Sequence, residues 1–246
     1  MKAMSLTTPS SEELRGRLQE VHRRIEASAR GAGRDPAEVK LIAVSKTQPP
    51  DVIRQAIEAG VTDLGENRVQ EADAKITELG RSAVRWHLIG HLQANKARRA
   101  VALFDVIHSL DSVALARRLN RLCAELERDD LPVLIQVDLG GEETKSGVSE
   151  EDLPDLIVAV AECEQLRLIG LMTLPPFFDD VELVRPYFRR LRELRDALQA
   201  RGTFTAGPGE LSMGMSHDYG VAIEEGATMV RVGTAIFGER HAAMGQ

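Results

Sequence analysis

At 246 residues the chain can make one α/β barrel or two small domains. Hydrophobic residues make up 43% of it, enough for a sizeable core, and a formal net charge of −7 argues against a nucleic-acid backbone as the main partner. No apolar run reaches membrane-spanning length and no signal peptide is recognisable, so no membrane partner is expected.

Residues 1–9 read as a flexible tail, ahead of a single domain over 10–246. Ser10 and Glu13 form a capping box, and Leu14, Leu18, Val21 and Ile25 mark one face of a helix over 10–30. Val39 to Lys46 reads as a strand buried on both faces. Pro49 and Pro50 lead into a short helix bearing Ile53 and Ile57, with Gly60 as its stop. A second strand over 62–67 ends at Asn67, which can cap a helix carrying Val69, Ala72, Ile76 and Leu79. Strands over 86–90 and 106–110 follow, separated by a basic helix near 93–103. Asp111 can cap the next helix, through Val113, Ala116, Leu119 and Leu126. Strands at 132–138 and 166–173 come next, with a helix opened by Ser149 and Asp152 between them. A long helix over about 180–200, a strand at 211–215, a short helix to Glu225 and a strand at 229–234 complete the pattern. Eight strands alternating with helices predict an α/β fold of the (β/α)8, or TIM, barrel type. The first helix can cover the side of the barrel that a helix after strand eight would otherwise close. Cys123 and Cys163 fall in separate helical patterns and read as reduced core residues, as in a cytoplasmic protein.

The chemistry concentrates at strand ends. Lys46 closes a buried strand, and in a barrel the carboxyl ends of the strands face the active site. A desolvated lysine there can lose its proton and attack a carbonyl; it can also snorkel to water. Gly214 and Gly233 allow close approach of backbone N–H groups, and Ser216 and Thr234 add hydroxyls after strands seven and eight. Barrels bind phosphate with these loops, aided by a helix N-terminus, although such residues also make plain tight turns. An aldehyde at one end and a phosphate at the other describe pyridoxal 5′-phosphate, with Arg231 beneath its ring. An arginine beside the ring nitrogen keeps that nitrogen unprotonated and weakens the cofactor as an electron sink; Arg231 can equally be an ordinary ion-pair partner. His87 and His91 share HxxxH spacing, but they flank a strand end and no glutamate follows the first, so no metal site is expected. They read as packing or hydrogen-bonding below the ring.

Several stretches together resemble one family: Ala43-Val-Ser-Lys46, Gly65-Glu-Asn67, His87-Leu-Ile-Gly-His-Leu-Gln93 with Asn95-Lys96, and Gly141-Glu-Glu-Thr-Lys-Ser-Gly147. Gly170-Leu-Met-Thr173, Leu211-Ser-Met-Gly-Met-Ser216 and Arg231-Val-Gly-Thr-Ala-Ile-Phe-Gly238 belong to the same set. From about 39 to 238 the chain resembles the pyridoxal phosphate homeostasis protein family (YggS/PROSC-like). That resemblance implies the barrel of the alanine racemase N-terminal domain (fold type III) without the C-terminal β-domain. It implies that Lys46 holds the cofactor as an aldimine and that Asn67 lies beside the ring. It further implies that Ser216, Gly233 and Thr234, with backbone near Met213 and Gly214, hold the phosphate, and that Arg231 meets the ring nitrogen. The family's members are described as monomeric carriers without an established catalytic activity. The segment Val137-Asp-Leu-Gly-Gly141 departs from the family's usual form, so no role passes to Asp138.

Three functions follow: a protein that stores or delivers the cofactor in vitamin B6 homeostasis, a cofactor-dependent amino-acid racemase, or a Schiff-base aldolase with Glu66 as acid/base. A two-base racemase needs a second base opposite Lys46, and the only tyrosines, Tyr187 and Tyr219, are not placed for it. The carrier is the expected function, with cofactor-dependent apo-enzymes as possible recipients. Lys145 sits in the loop after strand five, at the same barrel mouth as Lys46. It is expected either to be a solvated loop residue or to accept the cofactor transiently during release.

Overall fold

The computed structural model describes residues 9–141 and 146–238. Eight parallel strands pair in chain order, and the last pairs with the first to close the sheet. They are β1 (Lys40–Val44), β2 (Asp63–Glu66), β3 (Arg85–Leu88), β4 (Val106–Leu110), β5 (Leu131–Gln136), β6 (Leu166–Met172), β7 (Glu210–Met215) and β8 (Met229–Val232). The helices of the outer layer are α1 (Ser11–Gly31), α2 (Pro50–Glu58), α3 (Val69–Leu79), α4 (Ala97–Leu103), α5 (Val113–Glu125), α6 (Leu153–Ala161), α7 (Arg185–Ala200), α8 (Tyr219–Glu224) and α9 (Thr234–Phe237).

The sequence accounts for these elements. Every residue of β4 and β5 is buried, as expected where helices cover one face and the barrel interior fills the other. The Ser10–Glu13 capping box opens α1, whose Leu14, Leu18, Val21, Ile25 and Ala29 are buried. This helix packs against α2, α8 and α9, so it covers the seam beside β8 as the sequence anticipates. Two predicted caps are corrected. Arg68, not Asn67, is the N-cap of α3, and it has no side-chain cap bond. Ser112, not Asp111, caps α5 by accepting from Leu115 N; Asp111 instead pairs with His91.

Cys123 and Cys163 are free and buried, and burial pushes the Cys123 thiol up to about 11. No helix among the described residues is long and apolar enough to cross a membrane.

Candidate functional site

A cavity of about 580 Å³ opens at the carboxyl ends of the strands, a size typical of small-molecule sites. Lys46, Asn67, Ser216, Arg231, Gly233 and Thr234 all line it. They come from β1, β2, β7 and β8 or the turns just beyond them, so barrel closure brings them together. Met213 is instead packed into the core, and Met215 reaches the cavity wall. Gly214 works behind that wall. It has φ of +89°, and a Cβ there would come within 2.6 Å of the Ala222 Cβ. Only glycine lets the chain turn this closely onto α8.

Strand alternation sends neighbours on β1 to opposite sides of the sheet. Val44 and Lys46 face the cavity, while Ser45 turns outward to a buried cluster beneath α3. Ser45 Oγ donates to Glu66 Oε1 at 2.6 Å. Lys75 Nζ donates at 2.7 Å to Ser45 O, to Glu66 Oε1 and to Glu71 Oε1. Thr47 N–H donates to Glu71 Oε1. Both chain neighbours of the half-buried Lys46 are therefore clamped from one side. Burial raises the Glu66 carboxyl above its ordinary value, against the pull of Lys75, and Glu66 Oε2 has no partner among the described residues. Glu66 does not line the cavity, so the structure gives it no place as an acid/base beside Lys46.

Arg231 forms the buried end of the cavity. Its Nη1 donates to Ser212 Oγ at 2.7 Å and its Nη2 to Thr173 O at 2.9 Å, both neutral acceptors. Desolvation pushes its pKa down to about 10, leaving it a cation at neutral pH. Ser212 continues inward to His108, His87 and Asp63, with 2.9 Å between ring nitrogens and their partners at each step. Burial lowers the pKa of His87, and that of His108 further, so both rings are neutral at pH 7. His87 thus hydrogen-bonds below the cavity floor. His91 does not join it; it sits exposed at the rim, 3.2 Å from Asp111.

Beyond β7 and β8, Ser216 Oγ accepts from Gly233 N–H at 3.1 Å and from Ala235 N–H at 3.4 Å. Asp218 Oδ1 accepts from Met215 N–H at 2.6 Å and braces the same turn. A helix as short as α9 has little macrodipole, so what this end can offer an anion is individual N–H and hydroxyl groups.

Sequence reasoning missed Gln48, Leu174 and Phe177 and gave no role to Ile89 or His217, all of which also line the cavity. Phe177 is exposed beside the His217 ring, 5.3 Å between centroids. Gly90 was quoted only within a motif; a Cβ there would run into the Asn67 backbone, so glycine lets Asn67 sit at the wall. No lining residue is a tyrosine: Tyr219 is buried and Tyr187 stacks on Phe178. Asp138 has a local role, its Oδ1 accepting from the N–H groups of Gly140 and Gly141. Lys145 lies outside the described residues. No group of three or more acidic, histidine or cysteine side chains among the described residues could hold a metal.

The closed parallel barrel is of the alanine racemase N-terminal domain class, whose family model matches residues 17–241. The chain is 46% identical over 226 residues to the pyridoxal phosphate homeostasis protein of Aquifex aeolicus, spanning 91% of this chain and 97% of that one. PipY of Synechococcus elongatus, solved with PLP bound, is 39% identical with a TM-score of 0.79, covering 92% of this chain and 100% of that one. At 19% identity and a TM-score of 0.71, alanine racemase of Clostridium difficile shares the barrel fold over 94% of this chain and 58% of that one. The chain belongs to the pyridoxal phosphate homeostasis protein family.

Proposed function

We propose that this chain binds pyridoxal 5′-phosphate in the barrel-mouth cavity and serves the cell's homeostasis of that cofactor, storing it or handing it on. The observation that carries this reading is the placement of Lys46, Arg231 and the Ser216–Gly233–Thr234 turn on one cavity of fitting size. The cofactor brings an aldehyde that an amine can capture and a ring that can withdraw electrons. Lys46 supplies the amine. Ser216, Gly233 and Thr234, with the chain around Met213 and Gly214 shaping the turn, take the phosphate. Arg231 donates to the ring nitrogen and opposes its protonation, which suits holding the cofactor better than turning over amino acids. Asn67 stands beside the ring. The free buried cysteines support a cytoplasmic setting, and we propose a monomer whose recipients are cofactor-dependent apo-enzymes.

The test is borohydride reduction of the cofactor-loaded protein followed by peptide mapping. The pyridoxyl group is expected on Lys46, and a label mainly elsewhere overturns the assignment. Lys46→Ala should lose the visible absorption of the covalent form yet retain binding through the phosphate end. Brisk racemisation of alanine or serine by the purified protein would sink the carrier reading. Lys145→Ala should slow transfer to an apo-enzyme and leave the spectrum of the loaded protein unchanged; equal transfer rates remove Lys145 from the pathway.

A further inference from the structure

The chain of side chains from Arg231 to Asp63 has only one proton arrangement that satisfies every contact. An ionised carboxylate accepts and cannot donate. His87 must then carry its proton on Nε2, which faces Asp63 Oδ1 at 2.9 Å. That leaves His87 Nδ1 bare, so His108 must carry its proton on Nε2 to fill the 2.9 Å contact between them. His108 Nδ1 is then bare, and the Ser212 hydroxyl must donate to it across 2.9 Å. Ser212 Oγ is left to accept, and a guanidinium, which can only donate, supplies that bond at 2.7 Å. The two ends demand the same direction. Thr62 Oγ1 donates to the other Asp63 oxygen at 2.8 Å. Burial works against ionisation of Asp63, yet the hydrogen bonds from His87 and Thr62 and the charge of Lys40 hold it below its ordinary value.

We infer that Asp63, at the far end of the barrel interior, is a positioning residue for the cavity: it fixes both histidine tautomers and thereby the direction of the Ser212 hydroxyl, leaving Ser212 Oγ to accept from Arg231 and hold the guanidinium in place at the floor. Resting on the proposed function, this makes the chain a selector for a ring that presents a lone pair and against one whose nitrogen is protonated or alkylated. His87, His108 and Ser212 transmit the choice; none of them lines the cavity.

The experiment has two arms. In the first, the ring nitrogens of the cofactor-free protein are read by 15N NMR near pH 7. Both buried histidines are expected as the neutral Nε2–H form. Either ring found charged or in the Nδ1–H form overturns the inference, and this measurement needs no variant. Asp63→Leu removes the acceptor and should let His108, two bonds away, populate the Nδ1–H form. Asp63→Asn keeps a carbonyl acceptor and should restore the parent pattern. A loss of packing alone would not move the His108 tautomer, and an unchanged His108 in Asp63→Leu overturns the role of Asp63. The second arm compares binding of pyridoxal 5′-phosphate with its N-methylated analogue. The parent should prefer the former by about tenfold, the worth of one hydrogen bond to a charged donor, and Asp63→Leu should lose most of that preference. Equal discrimination in parent and Asp63→Leu overturns the inference. A parent that binds neither compound refutes the proposed function, and the tautomers still decide the role of Asp63.

Discussion

The barrel buries two polar networks on opposite sides of its sheet, and they meet the cost of burial in opposite ways. Inside, Arg231, Ser212, His108, His87 and Asp63 form a line in which two neutral rings and a hydroxyl separate the cation from the carboxylate. Outside, beneath α3, Lys75 and Glu66 stand 2.7 Å apart as a buried ion pair. The inner line satisfies each of its contacts in one direction; the outer cluster leaves Glu66 Oε2 without a partner among the described residues. A line of neutral groups transmits orientation over distance. An ion pair cannot, but it grips strongly at one point, and here that point is the backbone on either side of Lys46.

The contrast is sharpest when one member is removed. Lys75→Met strands a buried carboxylate and should cost about 3–5 kcal/mol by urea denaturation. Glu66 has a raised pKa in the fold, so the folded state takes up its proton before the unfolded state does. The deficit of Lys75→Met relative to the parent should therefore shrink as pH falls from neutrality toward the ordinary carboxylate range. A deficit independent of pH would mean that Glu66 is not the group left stranded. The inner line should behave in the opposite sense. Its histidines have folded pKa values below the ordinary 6.5, so acid protonates them first in the unfolded chain. Below about pH 6.5 the parent should lose up to about 1.4 kcal/mol per pH unit for each histidine. A flat parent profile between pH 6.5 and 5.5 would contradict neutral burial.

Single hydroxyls give a smaller contrast. Ser212→Ala leaves an Arg231 donor and His108 Nδ1 unfilled and should cost about 1–3 kcal/mol, with ring-end selectivity lost as well. Ser45→Ala removes one of the two donors to Glu66 Oε1 that flank β1 and should cost about 1 kcal/mol. If Ser45→Ala proves the more damaging, the ranking of the two networks is wrong.

Strand identity was legible because β1 and β5 are short, mostly apolar runs bounded by turn residues, and Lys46, Ser216, Arg231, Gly233 and Thr234 were legible as cavity residues because strand ends converge in a barrel. The Ser10–Glu13 capping box was legible too, but the caps of α3 and α5 were not. Asp111 and Ser112 are both cap formers in adjacent places, and only the extended backbone of Ser112 decides between them. The inner line was invisible in sequence. His108 and Ser212 lie 104 residues apart, and only closure of the sheet brings β4 and β7 within a hydrogen bond across the interior. His87 was read as a residue below the ring, but nothing in its neighbourhood in the chain named Asp63 or His108 as partners. The clamp under Lys46 escaped for the same reason, since Lys75 lies 30 residues from Ser45 and Glu71 24 residues from Thr47.

The smallest expected effect tests what the outer clamp is for. Thr47 follows Lys46 with φ of +65°, an unfavourable conformation for a β-branched residue. Its N–H is held by Glu71, which Lys75 holds in turn. If the clamp forces this conformation so that Lys46 enters the cavity, glycine at 47 should relieve the strain. The gain is offset by the greater freedom of glycine in the unfolded chain, so Thr47→Gly should stabilise by no more than about 1 kcal/mol. Capture of pyridoxal 5′-phosphate by Lys46, followed as the rise of visible absorption after mixing, should slow in the same variant because the amine is less fixed in direction. A variant that is destabilised and captures at the parent rate would show that the clamp serves stability alone and that Lys46 finds the cavity without it.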